Sequence, residues 1–107
     1  MKKADSIIVE QGRVNAHLNW VMFSNKGIFV GIIPTLNIVA KAEQEEKLNE
    51  ELTGMVRNYF NYFTGKKLTR KLNALGWKNF NPPESFNLPI EVMKYDNIGF
   101  KTIEFSN

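Results

Sequence analysis

The fold is decided by residues 27–63, which read GIFVGIIPTLNIVAKAEQEEKLNEELTGMVRNYFNYF. The run at 28–33 is apolar on both faces of a strand, which is typical of a strand in the middle of a sheet. Pro34 lacks a backbone N–H and is expected to end this strand. A second, weaker strand is predicted over residues 37–42. Because consecutive strands with short connections usually pair as antiparallel neighbours, the two runs are predicted to form a hairpin.

A long amphipathic helix is predicted over residues 45–63. Its apolar residues recur at intervals of three and four, which places them on one side of a helix. They are Leu48, Leu52, Met55, Val56, Tyr59, Phe60 and Phe63. A stripe of this length needs cover, and we expect it to lie across a face of the sheet. Gln44 stands at the start of the helix, where glutamine is a poor capping residue.

Residues 14–23, upstream of this unit, alternate between apolar and polar as a strand does. Val14, Ala16, Leu18, Trp20 and Met22 fall on one face, and Asn15, His17 and Asn19 fall on the other. The second face turns apolar at Val21 and Phe23, which predicts that this end is covered. A short leading strand is predicted at 7–9. Residues 24–27 make a hairpin loop in which Gly27 can take a positive φ.

A shorter helix is predicted over residues 67–75, with Leu68, Leu72 and Leu75 on its inner side. Gly76 is placed to end it in the left-handed conformation, with Trp77 folding back onto it. Residues 79–87 have the composition of a linker. Strands at 90–95 and 100–105 are predicted to form a terminal hairpin around a turn at 96–99. The predicted fold class is α+β: an antiparallel meander with one long helix packed on it, a short second helix and a carboxy-terminal hairpin.

Length and composition favour one small domain. The chain has 107 residues, 43% of them apolar and 23% charged, which is ordinary for a single globular core. No stretch approaches the ~20 apolar residues that span a bilayer, and residues 1–6 do not lead into an apolar signal core. The chain has no cysteine, which excludes disulfides and thiolate chemistry and suits a cytoplasmic protein.

The charges separate along the chain. The acidic residues Glu43, Glu45, Glu46, Glu50 and Glu51 crowd the start of the long helix. No acid occurs over residues 52–83, where the bases are Arg57, Lys66, Lys67, Arg70, Lys71 and Lys78. One interpretation is helix electrostatics, since acids favour the amino end of a helix and bases its carboxyl end. The other is a bipolar surface, with one end suited to a cationic partner and the other to a phosphate backbone.

Residues that could carry catalysis are few. His17 is the only histidine, and no acid or nucleophile stands near it in the sequence, so we expect a solvent-facing or edge-strand histidine. Consecutive glutamates on one helix start point apart instead of converging on a reacting atom. The prediction is therefore no enzyme, no cofactor and no metal site. Lys66, Lys67, Arg70, Lys71 and Lys78 lie among aromatic residues and are candidate contacts for single-stranded nucleic acid.

The pattern over residues 28–77 resembles the HicB-like antitoxin family. The residues that carry the resemblance are Phe29-Val30-Gly31, then Pro34-Thr35-Leu36, a strand at 38–42, the acidic helix start Glu45-Glu46, the aromatic helix end at 59–63, and Leu75-Gly76-Trp77. About half of the chain is covered, and the pattern contains no catalytic signature.

The resemblance implies a partial ribonuclease H-like fold without that enzyme's activity, and residues 1–107 are predicted to form a single HicB-like domain. Many members of the family end in a DNA-binding segment, but residues 79–107 have the pattern of a linker and a hairpin, so no separate DNA-binding domain is predicted. It implies a protein that binds and blocks a HicA-type mRNA-cleaving toxin, usually as a homo-oligomer; the many aromatic residues that need cover favour a homodimer. Because such toxins are cationic, the predicted contacts are the five glutamates with Pro34 and Leu36. Two alternatives stay open: an oligomeric HicB-like domain without a toxin, and a small nucleic-acid-binding protein using the basic segment 57–78.

Overall fold

The computed structural model describes residues 4–78, 81–83 and 97–106 as an α+β domain. Its elements in chain order are β1 (Ser6–Glu10), β2 (Arg13–Asn25), β3 (Ile28–Ile33), β4 (Ile38–Ala42), α1 (Glu45–Tyr62), α2 (Gly65–Ala74) and β5 (Asn97–Ser106). The predicted class, a meander under one long helix with a short second helix, is confirmed.

The long strand β2 organises the sheet, and every pairing in the described part of the chain is antiparallel. Residues 13–17 of β2 pair with β1, residues 21–25 pair with β3, and residues 15–24 pair with β5. Residues 15–17 of β2 therefore pair with both β1 and β5, and residues 21–24 pair with both β3 and β5. Because a strand has two edges, β5 lies along one edge of β2, and β1 and β3 share the opposite edge. β4 then extends the sheet beyond β3.

Asp5 hydrogen-bonds to residues near the point where β1 and β3 come end to end along that shared edge. One carboxylate oxygen accepts hydrogen bonds from the Asn19 backbone N–H at 2.9 Å and from Asn19 Nδ2 at 2.6 Å. The other accepts one from Thr35 Oγ1 at 2.5 Å. Hydrogen bonds to a charged acceptor are stronger than neutral ones, so Asp5 ties the start of β1 to β2 and to the turn after β3.

The helix α1 covers one face of the sheet, which we call the inner face. Its predicted stripe is buried at Leu48, Leu52, Val56 and Phe60, while Met55 stays 36% exposed. Under the helix, the inward residues of β2 run from Val14 to Trp20, as the alternation predicts. Gly31 permits this contact, because a Cβ on it would lie only 2.6 Å from Leu52 Cδ1.

The opposite, outer face of the sheet is packed at one end. Val21, Phe23, Val30 and Ile32 form a second buried cluster there, which confirms the cover predicted for Val21 and Phe23. Elsewhere on this face, Ile28 and Val39 are each 40% exposed.

The end of α2 is built as predicted. Gly76 has φ +96, and its N–H donates to the Asn73 carbonyl at 3.0 Å. The Trp77 N–H donates to the Leu72 carbonyl at 2.9 Å, which completes a Schellman motif. Trp77 is 1% exposed.

The terminal strand departs from the prediction in two respects. β5 begins at Asn97, so the turn predicted at 96–99 is wrong for its last three residues. β5 also pairs with β2, 73 or more residues away in sequence, because β2 is long enough to pair along both of its edges. The other predicted arm, residues 90–95, lies outside the described residues.

Candidate functional site

The start of α1 forms the acidic end of the molecule. All five glutamates predicted to bind a partner are exposed there: Glu43, Glu45, Glu46, Glu50 and Glu51. Lys101 Nζ on β5 lies 3.0 Å from Glu45 Oε1, and Lys47 Nζ lies 3.9 Å from Glu50 Oε2. Within the described ranges, no ion pair engages Glu43, Glu46 or Glu51. Gln44 makes no side-chain capping bond, as expected.

Two connected cavities give the acidic end a concave shape. An open depression of about 810 Å³ is lined by Gln44, Glu45, Glu46, Asn49 and Glu50. A narrower cavity of about 440 Å³ is lined by Trp20, Glu45, Asn49, Phe100, Lys101 and Thr102. Because Glu45 and Asn49 line both, the two cavities form one surface that runs from the helix start to β2 and β5.

The turn after β3 does not belong to this surface. Leu36 is 2% exposed and part of the core, and Pro34 is half-buried. The turn and the start of α1 lie at opposite ends of β4, whose five residues span about 17 Å. Trp77 Nε1 donates to the Thr35 carbonyl at 2.8 Å, which places the turn beside the end of α2. The structure therefore brings the glutamates together but separates Pro34 and Leu36 from them.

Four of the five predicted basic residues lie on α2 and form a second charged surface, and Lys78 follows the helix. Lys66, Lys67, Arg70 and Lys78 are exposed, and Lys71 is half-buried. The described part of the chain contains no ion pair for any of the five. The ammonium of Lys67 lies 5.7 Å from the centre of the Tyr62 ring, which is 69% exposed. The ammonium of Lys71 lies 5.5 Å from the centre of the Phe63 ring. Trp77 is buried, and Phe80 lies outside the described residues.

His17 is placed differently from the prediction. It is 8% exposed and lies in β2 where that strand has β1 on one side and β5 on the other, so a solvent-facing or edge-strand position is wrong. Its Nδ1 contacts Glu104, its register partner on β5, whose side chain is 68% exposed. The sequence hid this pair because 87 residues separate its members.

Among the described residues, Tyr59 has a pKa clearly displaced from its ordinary value. Burial disfavours the charged phenolate and raises the pKa of Tyr59 to about 12. Its hydroxyl is buried without a hydrogen-bond partner among the described residues. No acid or base side chain hydrogen-bonds to it there, so the shift reflects the burial of this α1 side chain alone.

Further observations narrow the chemistry of the described residues. No three His, Asp or Glu side chains in those ranges converge as ligands for a metal ion. Neither helix is long and apolar enough to cross a membrane. The sequence matches no protein-family model, no curated protein and no solved structure at a significant level. The resemblance to HicB-like antitoxins therefore rests on the residues that carry it.

Sequence reasoning missed Trp20 and Lys101 at the acidic end. Trp20 has the spacing of a core residue, and Lys101 is a lone base on a terminal strand, so neither carries a local signal. Their register pairing on β2 and β5 brings both to the cavity beside Glu45.

Proposed function

We propose that this protein is a HicB-like binding module that neutralises a HicA-type mRNA-cleaving toxin through its acidic end. The observation that carries the proposal is the concave acidic surface at the start of α1. Glu46 lines the depression and Glu43 and Glu51 stand beside it on the chain. All three lack an ion pair in the described part of the chain, so their charge is available to a cationic partner. Complementary charge speeds association and selects the partner.

The arrangement of elements supports the same proposal. The meander β2–β3–β4, the helix α1 packed on it and a further strand, β5, are the parts that the resemblance implies. Under this proposal the protein acts by occupying the toxin's surface and contributes no catalytic group. Exposed apolar side chains such as Val39 and Ile28 favour a homodimer as the working form.

The test is charge reversal at the acidic end. Co-expression with neighbouring reading frames identifies the toxin, and association is then measured at low and high salt. Glu46→Lys with Glu50→Lys should slow association about tenfold or more at low salt, and less at high salt, because screening weakens steering. Both side chains are exposed, so folding should barely change.

A matched control keeps the total charge the same. Glu10→Lys with Glu104→Lys adds equal positive charge on β1 and β5, away from the start of α1. This control should associate much faster than the acidic-end double variant. Normal toxin neutralisation by a folded Glu46→Lys, Glu50→Lys protein would reject the proposed surface and leave these glutamates the role of favouring the helix start.

A second candidate function is single-stranded nucleic-acid binding by α2. It is favoured by exposed bases without ion pairs in the described ranges and by the exposed Tyr62 ring beside Lys67. Each phosphate contact steepens the salt dependence of binding. This function is supported if the affinity for a single-stranded oligonucleotide falls steeply with salt and is lower still in Tyr62→Ala. It is rejected if neither added salt nor Tyr62→Ala changes the affinity.

A further inference from the structure

The two tryptophans differ in how their indole N–H groups are satisfied. Trp77 Nε1 donates to the Thr35 carbonyl at 2.8 Å. Trp20 is 2% exposed, and its buried Nε1 has no hydrogen-bond partner among the described residues. A buried donor without an acceptor is destabilising, and native proteins leave few of them. The Trp20 N–H therefore lacks an acceptor among the described residues, and a ligand oxygen that reached it would satisfy it.

The orientation of the Trp20 ring points that donor toward β5. A Cβ built on Gly31 of β3 would lie 3.0 Å from Trp20 Cζ3 and 3.1 Å from Cε3, so the benzene edge of the indole faces β3. Nε1 lies on the other long edge of the ring. β5 runs along the side of β2 opposite β3, and Lys101 of β5 is the register partner of Trp20. The edge of the ring that carries Nε1 is thus the edge away from β3, and Trp20 and Lys101 both line the cavity of about 440 Å³.

The chemistry around this cavity selects a ligand that combines an acceptor with positive charge. The Trp20 N–H requires an oxygen acceptor. Lys101 is already held by Glu45 at 3.0 Å, and the adjoining depression carries Glu46 and Glu50, which disfavour an anion. A peptide bearing lysine or arginine meets both requirements, since its main chain supplies carbonyl oxygens and its side chains supply the charge.

We infer that the two cavities together bind an extended basic peptide segment of a partner protein. A backbone carbonyl of the segment accepts the hydrogen bond from Trp20 Nε1. A neighbouring arginine or lysine side chain lies against Glu46 and Glu50 in the open depression. This inference rests on the proposed function for the class of partner. It adds the place where the partner's segment binds and the group, Trp20 Nε1, that hydrogen-bonds to its backbone.

Nuclear magnetic resonance of the ¹⁵N-labelled protein tests the inference on the unmodified chain. The probe is acetyl-Gly-Arg-Gly-Arg-Gly-Arg-amide, and Trp77→Phe assigns the two indole signals. The Trp20 indole N–H should move downfield and saturate as the peptide is added, because it gains an acceptor. The Trp77 signal, whose N–H is already bonded, should stay in place.

Two further probes separate the carbonyl contact from simple charge attraction. Spermine carries positive charge without a carbonyl, so it should leave the Trp20 indole signal nearly unmoved at concentrations where the peptide saturates. Acetyl-Gly-Glu-Gly-Glu-Gly-Glu-amide should not bind. An unmoved Trp20 signal with the arginine peptide, or an equal shift with spermine, would overturn the inference.

Variants give an affinity readout beside the spectrum. Trp20→Phe keeps an aromatic ring and removes the donor, and it should weaken the arginine peptide about tenfold, as the loss of one buried hydrogen bond does. Glu46→Gln, on the surface, should also weaken it. Trp77→Phe is the matched control and should leave peptide affinity unchanged; equal losses in both tryptophan variants would count against the site.

The two proposals fail in different ways. The peptide titration contains no toxin, so a responding Trp20 signal together with unaffected neutralisation in the charge-reversed protein rejects the toxin proposal alone. Conversely, a toxin that binds and needs the glutamates, yet leaves the Trp20 signal unmoved, rejects the peptide site alone.

Discussion

The two faces of the sheet use the same strands for different purposes. On the inner face, Leu18 and Ile33 meet Leu48, Leu52 and Val56 of α1, and all five are 0% exposed. The outer face has a small buried cluster at one end, with partly exposed apolar residues and the His17–Glu104 pair elsewhere. Stability is therefore concentrated under α1. Residues with exposed side chains, such as the glutamates at the start of α1, can therefore be changed to test function with little effect on folding.

The strongest test of this contrast lies within α1 itself. Leu52→Ala should lower the free energy of unfolding by about 2–5 kcal/mol, because it removes a fully buried side chain and leaves a cavity. Met55→Ala, on the same helix but 36% exposed, should cost clearly less. Urea denaturation of the two variants measures the difference. Equal losses, or no loss at Leu52, would show that the inner face does not carry the stability.

A smaller effect is expected from the outer-face pair. A double-mutant cycle with His17→Ala and Glu104→Ala should give a coupling energy of about 0.2–1 kcal/mol, because the Glu104 side chain is 68% exposed and water screens the contact. Thermal or urea unfolding of the four proteins supplies the cycle. A coupling energy as large as the Leu52 loss would place a major share of stability on the outer face.

The smallest effect is expected at Tyr59 of α1, whose hydroxyl is buried. Tyr59→Phe removes a buried hydroxyl without a described partner, so at neutral pH stability should change by about 0.5 kcal/mol or less, toward greater stability. In the unmodified protein the folded-state pKa of about 12 exceeds the ordinary value of 10.0. The unfolded chain therefore loses this proton first, and stability falls as pH rises from 10 to 12.

The control for the pH effect is the same variant. Because Tyr59→Phe removes the titrating group, its stability should fall less steeply than that of the unmodified protein above pH 10. Unfolding midpoints in urea across this pH range measure both slopes. Parallel slopes would mean that the Tyr59 phenol is as accessible to water in the folded protein as in the unfolded one.

Much of the fold follows from local pattern. The limits of α1, its buried stripe, the two faces of β2 and the Gly76-Trp77 ending were all predictable, because each depends on the spacing of neighbouring residues and on the φ that glycine permits. Of the candidate site, the five glutamates were predictable for the same reason: a cluster within nine positions at a helix start must share one end of the molecule.

The surroundings of that acidic end depend on contacts between distant parts of the chain. The pairing of β5 with β2 places Lys101 beside Glu45 and Trp20, sets Glu104 against His17, and makes Glu45 part of the lining of a cavity. The path of β4 moves Pro34 and Leu36 to the other end of the sheet. These contacts join residues far apart in sequence, and their register depends on which sheet edge is left unpaired and on the packing of both faces. The spacing of neighbouring residues carries no information on which edge is unpaired or on how the two faces pack.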